Sequence, residues 1–306
     1  MLFLPNIDLR RIRRIRRNHL AMRLCLLFMI SLGWALSCMA AEPINITIPQ
    51  DVLTDYNTFI AGRDIASIQH YGGPGARRDV IELVLLQQAL LLGGFNQPLT
   101  MDIEQSYLRG LRNIAEGRDI TSAGLVWNND ITTLGDSVYT TRALVHDGEF
   151  LIGLYTSPKN STALATKTRE ELIELRAVTS GQWQPDLTAL QQVGIKRILL
   201  TPSWMNMVRM IEAGRADITI APFQSTPGMT FEVNGGATMV PIPGIKLCLH
   251  GSRHWPVSRQ HPQGKAFFEA LERGLDELEK SGTIKRAYRE CGFFNPDVEH
   301  WKLLNP

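Results

Sequence analysis

The chain has 306 residues, 44% hydrophobic and 20% charged, an ordinary composition for a soluble globular protein and long enough for two medium-sized lobes. Its 32 basic and 30 acidic side chains give a formal net charge of +2, but the basic excess belongs to the N-terminus. Removing residues 1–40 leaves 25 basic and 29 acidic side chains, which argues against a general nucleic-acid binder.

Arg10, Arg11, Arg13, Arg14, Arg16, Arg17 and Arg23 precede the apolar run Leu24–Leu36, and the small residues Ser37, Ala40 and Ala41 follow. That is the order of a secretory signal, and the run is short for a membrane span. Residues 1–41 are therefore expected to be a cleaved signal peptide, starting at Met1 or Met22 and delivering the protein to the periplasm. Two alternatives stay open, a lipoprotein site at Cys38 and an uncleaved anchor.

After the signal, Asn45–Ile48 alternates as a strand and stops at Pro49. A polar stretch, Gln50–Ala76, leads to Arg77 and Arg78 at the start of an apolar helix, Asp79–Leu92, closed by Gly93-Gly94. Leu99–Ile103 reads as a strand. Ala115-Glu116-Gly117-Arg118-Asp119 then ends a helix and opens a strand over Ile120–Trp127. Val138–His146 and Phe150–Tyr155 read as extended segments joined at Asp147-Gly148. Beyond the polar Ser157–Thr162 the alternation restarts, with helices at Arg169–Leu175 and Asp186–Val193 and strands at Ala177–Thr179 and Ile198–Thr201. Met207, Met210 and Ile211 share a helix face. Glu212-Ala213-Gly214-Arg215-Ala216-Asp217 then repeats the earlier turn and opens the strand Ile218–Ala221. Phe223–Gly236 reads as a loop, Thr238–Ile242 and Ile245–His250 as extended, and Gly264–Lys280 as a long amphipathic helix followed by a short one at Ile284–Arg289. Strands alternating with helices imply mostly parallel sheets with helices on both faces.

Several of these pieces carry a resemblance to bacterial periplasmic solute-binding proteins of the family 3 type, which serve amino-acid transporters. They are the exported start before Ile46-Thr47-Ile48, the Gly94-Phe95 helix end, the two Gly-Arg turns, and Leu278-Glu279-Lys280-Ser281-Gly282-Thr283-Ile284-Lys285-Arg286-Ala287-Tyr288. The resemblance covers Glu42–Trp301. It implies an α/β, two-lobe periplasmic binding protein-like fold of type II, each lobe a mostly parallel sheet flanked by helices, with two hinge crossings. On this reading residues 42–154 plus 245–306 form lobe 1 and 155–244 form lobe 2, with crossings near Gly153–Thr156 and Gly244–Leu247. Ligand would bind in the cleft at the carboxyl ends of the strands, and the lobes would close around it.

The resemblance also implies a partner and sets out departures. The expected function is capture of a small polar solute by a monomeric, non-enzymatic periplasmic protein for the membrane permease of an ABC transporter. A ligand sensor coupled to a membrane signalling partner is the alternative, and an enzyme of the same fold is the third reading. The family's ligand-gripping Arg is missing from Gly124–Ile131, and its ammonium-holding Asp is missing from Ala221–Gln224. An α-amino acid is therefore expected to bind poorly.

The residues left at the predicted strand ends are aromatic and neutral. Trp127, Trp183, Trp204 and Phe223 offer ring faces, while Asn128, Ser180, Gln182, Ser203 and Gln224 offer hydrogen bonds. Each has a bland alternative in core packing or, for Ser203, helix capping. Arg77 and Arg78, at a helix start behind a Gly-rich loop, are the best partners for a ligand carboxylate, with Arg142 the next. Cys248 and Cys291 either pair or remain two buried thiols, and the bridge is taken as the expectation. Cys248, His250, His254 and His261 match no standard zinc spacing, so no metal or other cofactor is expected. No Gly-x-Ser-x-Gly or His-Glu-x-x-His motif is present.

Overall fold

The computed structural model describes residues 44–233 and 236–306; the expected signal peptide and Cys38 lie outside them. The described residues form two α/β halves. In the first, Ile44–Ile48 lies between Leu99–Ile103 and Thr121–Ser122, parallel to both, with Ile46 opposite Met101 on one side and Thr121 on the other. Pro256–Ser258 pairs antiparallel with Val138–Thr140 and reaches the first sheet through two bonds. The Ser258 N–H donates to the Ile120 carbonyl, and the Thr121 hydroxyl donates to that of Pro256. In the second half, Arg176–Thr179 runs parallel to Arg197–Leu200, and Ala177 bridges in parallel to Ile218.

Two long strands connect the halves. Phe150–Thr156 pairs antiparallel with Ile245–Leu249, placing Leu247 opposite Ile152 and Leu249 opposite Phe150. The same strand also pairs with Thr219–Pro222 and, at its end, with Ala237–Pro241.

The Arg78–Leu92 helix is the centre of the first half. Val80, Ile81, Leu83, Val84, Leu85 and Leu86 are fully buried, as expected of a helix that is apolar all round. Each such side chain contributes about 1.5–3 kcal/mol on burial. The Gly264–Lys280 helix crosses it closely. A Cβ on Gly274 would run into the Ala89 carbonyl, and one on Gly93 into that of Ala270, so these two glycines set the approach.

Both Gly-Arg turns have the left-handed residue that their sequence demands, Gly117 at φ 79° and Gly214 at φ 65°. Their aspartates differ. Asp217 accepts bonds from the Arg176 backbone N–H, Nε and Nη2 at 2.8–2.9 Å, which hold its carboxyl below the usual range. Asp119 is fully buried, neither carboxylate oxygen has a hydrogen-bond partner among the described residues, and burial raises its pKa.

Three local readings are corrected. The polar stretch after Pro49 holds a helix, Gln50–Ile60, whose Val52 and Phe59 are buried; polar residues between them masked the helical spacing. The expected strand Ile120–Trp127 is two short strands, Thr121–Ser122 and Val126–Trp127. The Glu82 carboxylate interrupts them, accepting the Leu125 N–H at 2.8 Å and lying 3.0 Å from where a Cβ on Gly124 would sit. Likewise Arg169–Leu175 is helical only over Arg169–Leu172, where Thr168 and Glu171 form a capping box.

Candidate functional site

A cavity of about 300 Å³ opens between the two halves, at the carboxyl ends of their strands. Trp127 and Phe150 face it from the first half and the crossing strand; Trp183, Trp204 and Phe231 face it from the second. The Trp183 and Trp204 rings rest on a core of Val178, Met207, Val208 and Met239. Trp204 and Phe231 lie 5.5 Å apart, and Trp127 and Phe150 5.0 Å. At the rim the Leu108 N–H donates to Gln182 Oε1 at 3.5 Å, a contact across the cleft.

Most of the residues expected from sequence meet here. Trp127, Trp183, Trp204, Gln182, Ser203, Gln224, Arg77 and Arg78 all line the cavity. Ser203 occupies the N-cap position of the Trp204–Glu212 helix, yet its side chain makes no capping bond. Asn128, Ser180 and Phe223 do not line it. Asn128 opens a short helix and donates its backbone N–H to the Ser252 carbonyl. Ser180 is buried, its hydroxyl accepting the Gln182 N–H. Phe223 is fully buried, edge-on to Trp301 at 5.5 Å. Pro222 and Gln224 face the cavity, and the two-residue period of extended chain turns the residue between them away.

Electrostatics correct the expected role of the arginines. The Arg77 guanidinium is shared among Asp51 at 2.8 Å, Asp55 at 2.7 Å and Asp79 at 3.1 Å. Arg78 pairs with Asp79 and, at 3.4 Å, with Glu82, and its guanidinium lies 5.0 Å from the centre of the Phe150 ring. Arg142 is away from the cleft, against Glu272, Asp276 and Glu279. Arg77 and Arg142 are held by protein acids, while Arg78 keeps one buried donor, Nε, without a partner among the described residues.

Sequence reasoning missed the ionic groups that shape the cleft. Glu82 is fully buried, its side chain paired with Arg253 at 3.0 Å; the Arg253 side chain is 7% exposed. Arg253 also donates to the Leu125 carbonyl and lies 5.3 Å from the centres of the Trp127 and Phe150 rings, so it backs the aromatic floor. Burial pushes the Glu82 carboxyl up, against the pull of Arg78 and the Leu125 N–H. Asp186, in the first turn of the Gln184–Val193 helix, faces the cavity without a salt bridge to any described residue. Burial pushes it up to about 7, and the nearby positive charge of Arg78 opposes this. Asp130, also in the wall, accepts the Tyr107 hydroxyl at 2.6 Å. Glu104 accepts the Ser106 N–H at 2.8 Å and lies 3.5 Å from the exposed Arg109.

The expected Cys248–Cys291 bridge is not formed; both are buried free thiols. Cys248 borders a small pocket with His250 and Gln192, whereas its neighbour Leu249 faces the main cavity. Alternation along the strand turns Cys248 away from the interior where Cys291 packs beside Tyr288 and Phe293. His250 contacts Asp147 at 3.2 Å, and His254 is held between the Thr141 carbonyl and the Ser252 hydroxyl.

No protein-family model and no curated protein sequence matches the chain. Solved structures do. The periplasmic VFT2 domain of BvgS from Bordetella pertussis aligns over 80% of this chain and 92% of its own, at 11% identity and TM-score 0.53. The probable amino-acid ABC transporter extracellular-binding protein ytmK from Bacillus subtilis aligns over 71% and 88%, at 15% identity and TM-score 0.51. An amino acid ABC transporter substrate-binding protein from Streptococcus pneumoniae, bound to L-arginine, aligns over 68% and 82%, at 10% identity and TM-score 0.50. The fold is thus the two-lobe α/β fold of periplasmic binding proteins, as the sequence resemblance implied.

Proposed function

We propose that the chain is an exported solute-binding protein that captures a small molecule between its halves and hands it to the permease of an ABC transporter. The observation carrying this reading is one cavity walled by both halves, beside the only two long strands that join them among the described residues. The two α/β halves act as lobes that hinge about Phe150–Thr156 and Ile245–Leu249, near the crossings placed from sequence. We read the site as binding without turnover, in keeping with the binding proteins that share its fold. The occurrence of the same fold in the BvgS periplasmic domain favours one second reading, that ligand is reported to a membrane signalling protein.

Two results are expected. Small-angle scattering should show a smaller radius of gyration with a bound ligand than without, and an unchanged radius would argue against hinged capture. N-terminal sequencing of periplasmic material should begin near Ala40 or Ala41, and a mature chain retaining Leu24–Leu36 would contradict export by a cleaved signal. Mass spectrometry of incubated ligands that found a product would move the reading to an enzyme.

A further inference from the structure

We propose, resting on the binding reading above, that the cleft takes a small organic cation lacking a carboxylate, its charge against Asp186 and its apolar body against Trp127, Trp183 and Trp204. Charge accounting comes first. The cavity wall carries five carboxylates, Asp51, Asp79, Glu104, Asp130 and Asp186, and three guanidinium groups, Arg77, Arg78 and Arg253. Every one of those guanidinium groups is already bonded to an acid of the protein. An anionic ligand would find only the buried Nε atoms of Arg78 and Arg253 without a partner among the described residues, and would otherwise have to strip a guanidinium from a buried acid, leaving that acid uncompensated.

A cation faces the opposite situation. Asp186 reaches the cavity with no ion pair at bonding distance among the described residues, at a helix N-terminus whose N–H groups, with the nearby Arg78, favour its charged form against burial. The indole faces around the same cavity attract cations, more so when water is excluded. The volume of about 300 Å³ is at the small end of ligand sites, which suits a compact ammonium ion with one ring or a short chain. An α-amino acid brings a carboxylate that this wall does not answer.

Calorimetry on the purified chain separates the classes with probes of one shape. Phenethylamine is the cation, 3-phenylpropionate the anion, 2-phenylethanol the neutral body and L-phenylalanine the zwitterion; choline and agmatine extend the cation set. At least one cation should bind, with the anion and the zwitterion about a hundredfold weaker or worse. Asp186→Asn should weaken the cation by at least about thirtyfold while leaving 2-phenylethanol unchanged. Trp204→Leu, which keeps Asp186, should weaken it about tenfold and serves if the first variant does not fold. Cations that fail to bind at millimolar concentration, an anion or zwitterion that binds as tightly, or an Asp186→Asn chain that keeps its cation affinity would each overturn the cation assignment. If 3-phenylpropionate or L-phenylalanine binds and compacts the protein in scattering, the cation assignment falls and the binding reading stands.

Discussion

Glu82→Ala is expected to cost the fold about 3–5 kcal/mol. The side chain is fully buried in the central helix and answers Arg253, Arg78 and the Leu125 N–H together. Its removal leaves the Arg253 guanidinium inside the protein with only a carbonyl and two ring faces. Glu82→Gln, which keeps an acceptor, should cost less. Replacing both partners by Met should cost less than the two single Met changes added together, because no lone charge remains buried. Urea unfolding of the five variants measures these differences. A loss under 1 kcal/mol for Glu82→Ala would show that Arg253 is satisfied some other way.

Asp186→Asn should do the reverse and stabilise the protein by about 2–4 kcal/mol at pH 8. Burial pushes the Asp186 carboxyl up to about 7 from an ordinary 3.8, because it disfavours the charged form. Arg78 is the charge that draws it down, while Tyr107, Asp130 and Glu104 share the cavity wall. Between those two values the folded chain holds a proton that the unfolded chain has released. Stability therefore falls as pH rises from about 4 through 7, and the full cost is present only above 7. Asn carries no such cost, so its advantage should be large at pH 8 and shrink toward pH 5. Equal midpoints of denaturation for the two proteins at pH 8 would mean that water reaches Asp186 freely. A residue that weakens the fold and faces a cavity with three indole rings in its wall fits a role in binding.

The fold was legible because its signals are local. The Gly117 and Gly214 turns, the alternation of strands and helices and the apolar helix after Arg78 each need only a dozen neighbouring residues to read. The aromatic part of the cleft was legible for a related reason, since Trp127, Trp183 and Trp204 follow strands, and strand ends face ligands in this architecture. Phe223 failed that rule because one step along an extended chain reverses the face. The ionic part was not legible. Glu82 and Arg253 are 171 residues apart, and nothing near either one marks it as the other's partner. Asp186 reads as an ordinary first-turn acid until the opposite wall shows how little else answers it. The cysteines illustrate the same limit, because pairing depends on a spatial relation that composition cannot supply.

Those two thiols have a practical consequence for labelling chemistry. Cys291 is pushed up to about 12 and Cys248 is raised too, each chiefly by burial, so neither offers an accessible thiolate at neutral pH. A maleimide dye added to the folded protein therefore meets no reactive sulfur among the described residues. Leu108 is 54% exposed and its backbone touches Gln182 of the opposite half. A fluorophore on a cysteine placed there sits where the rims meet, and its emission becomes an optical readout of how far the cleft stands open.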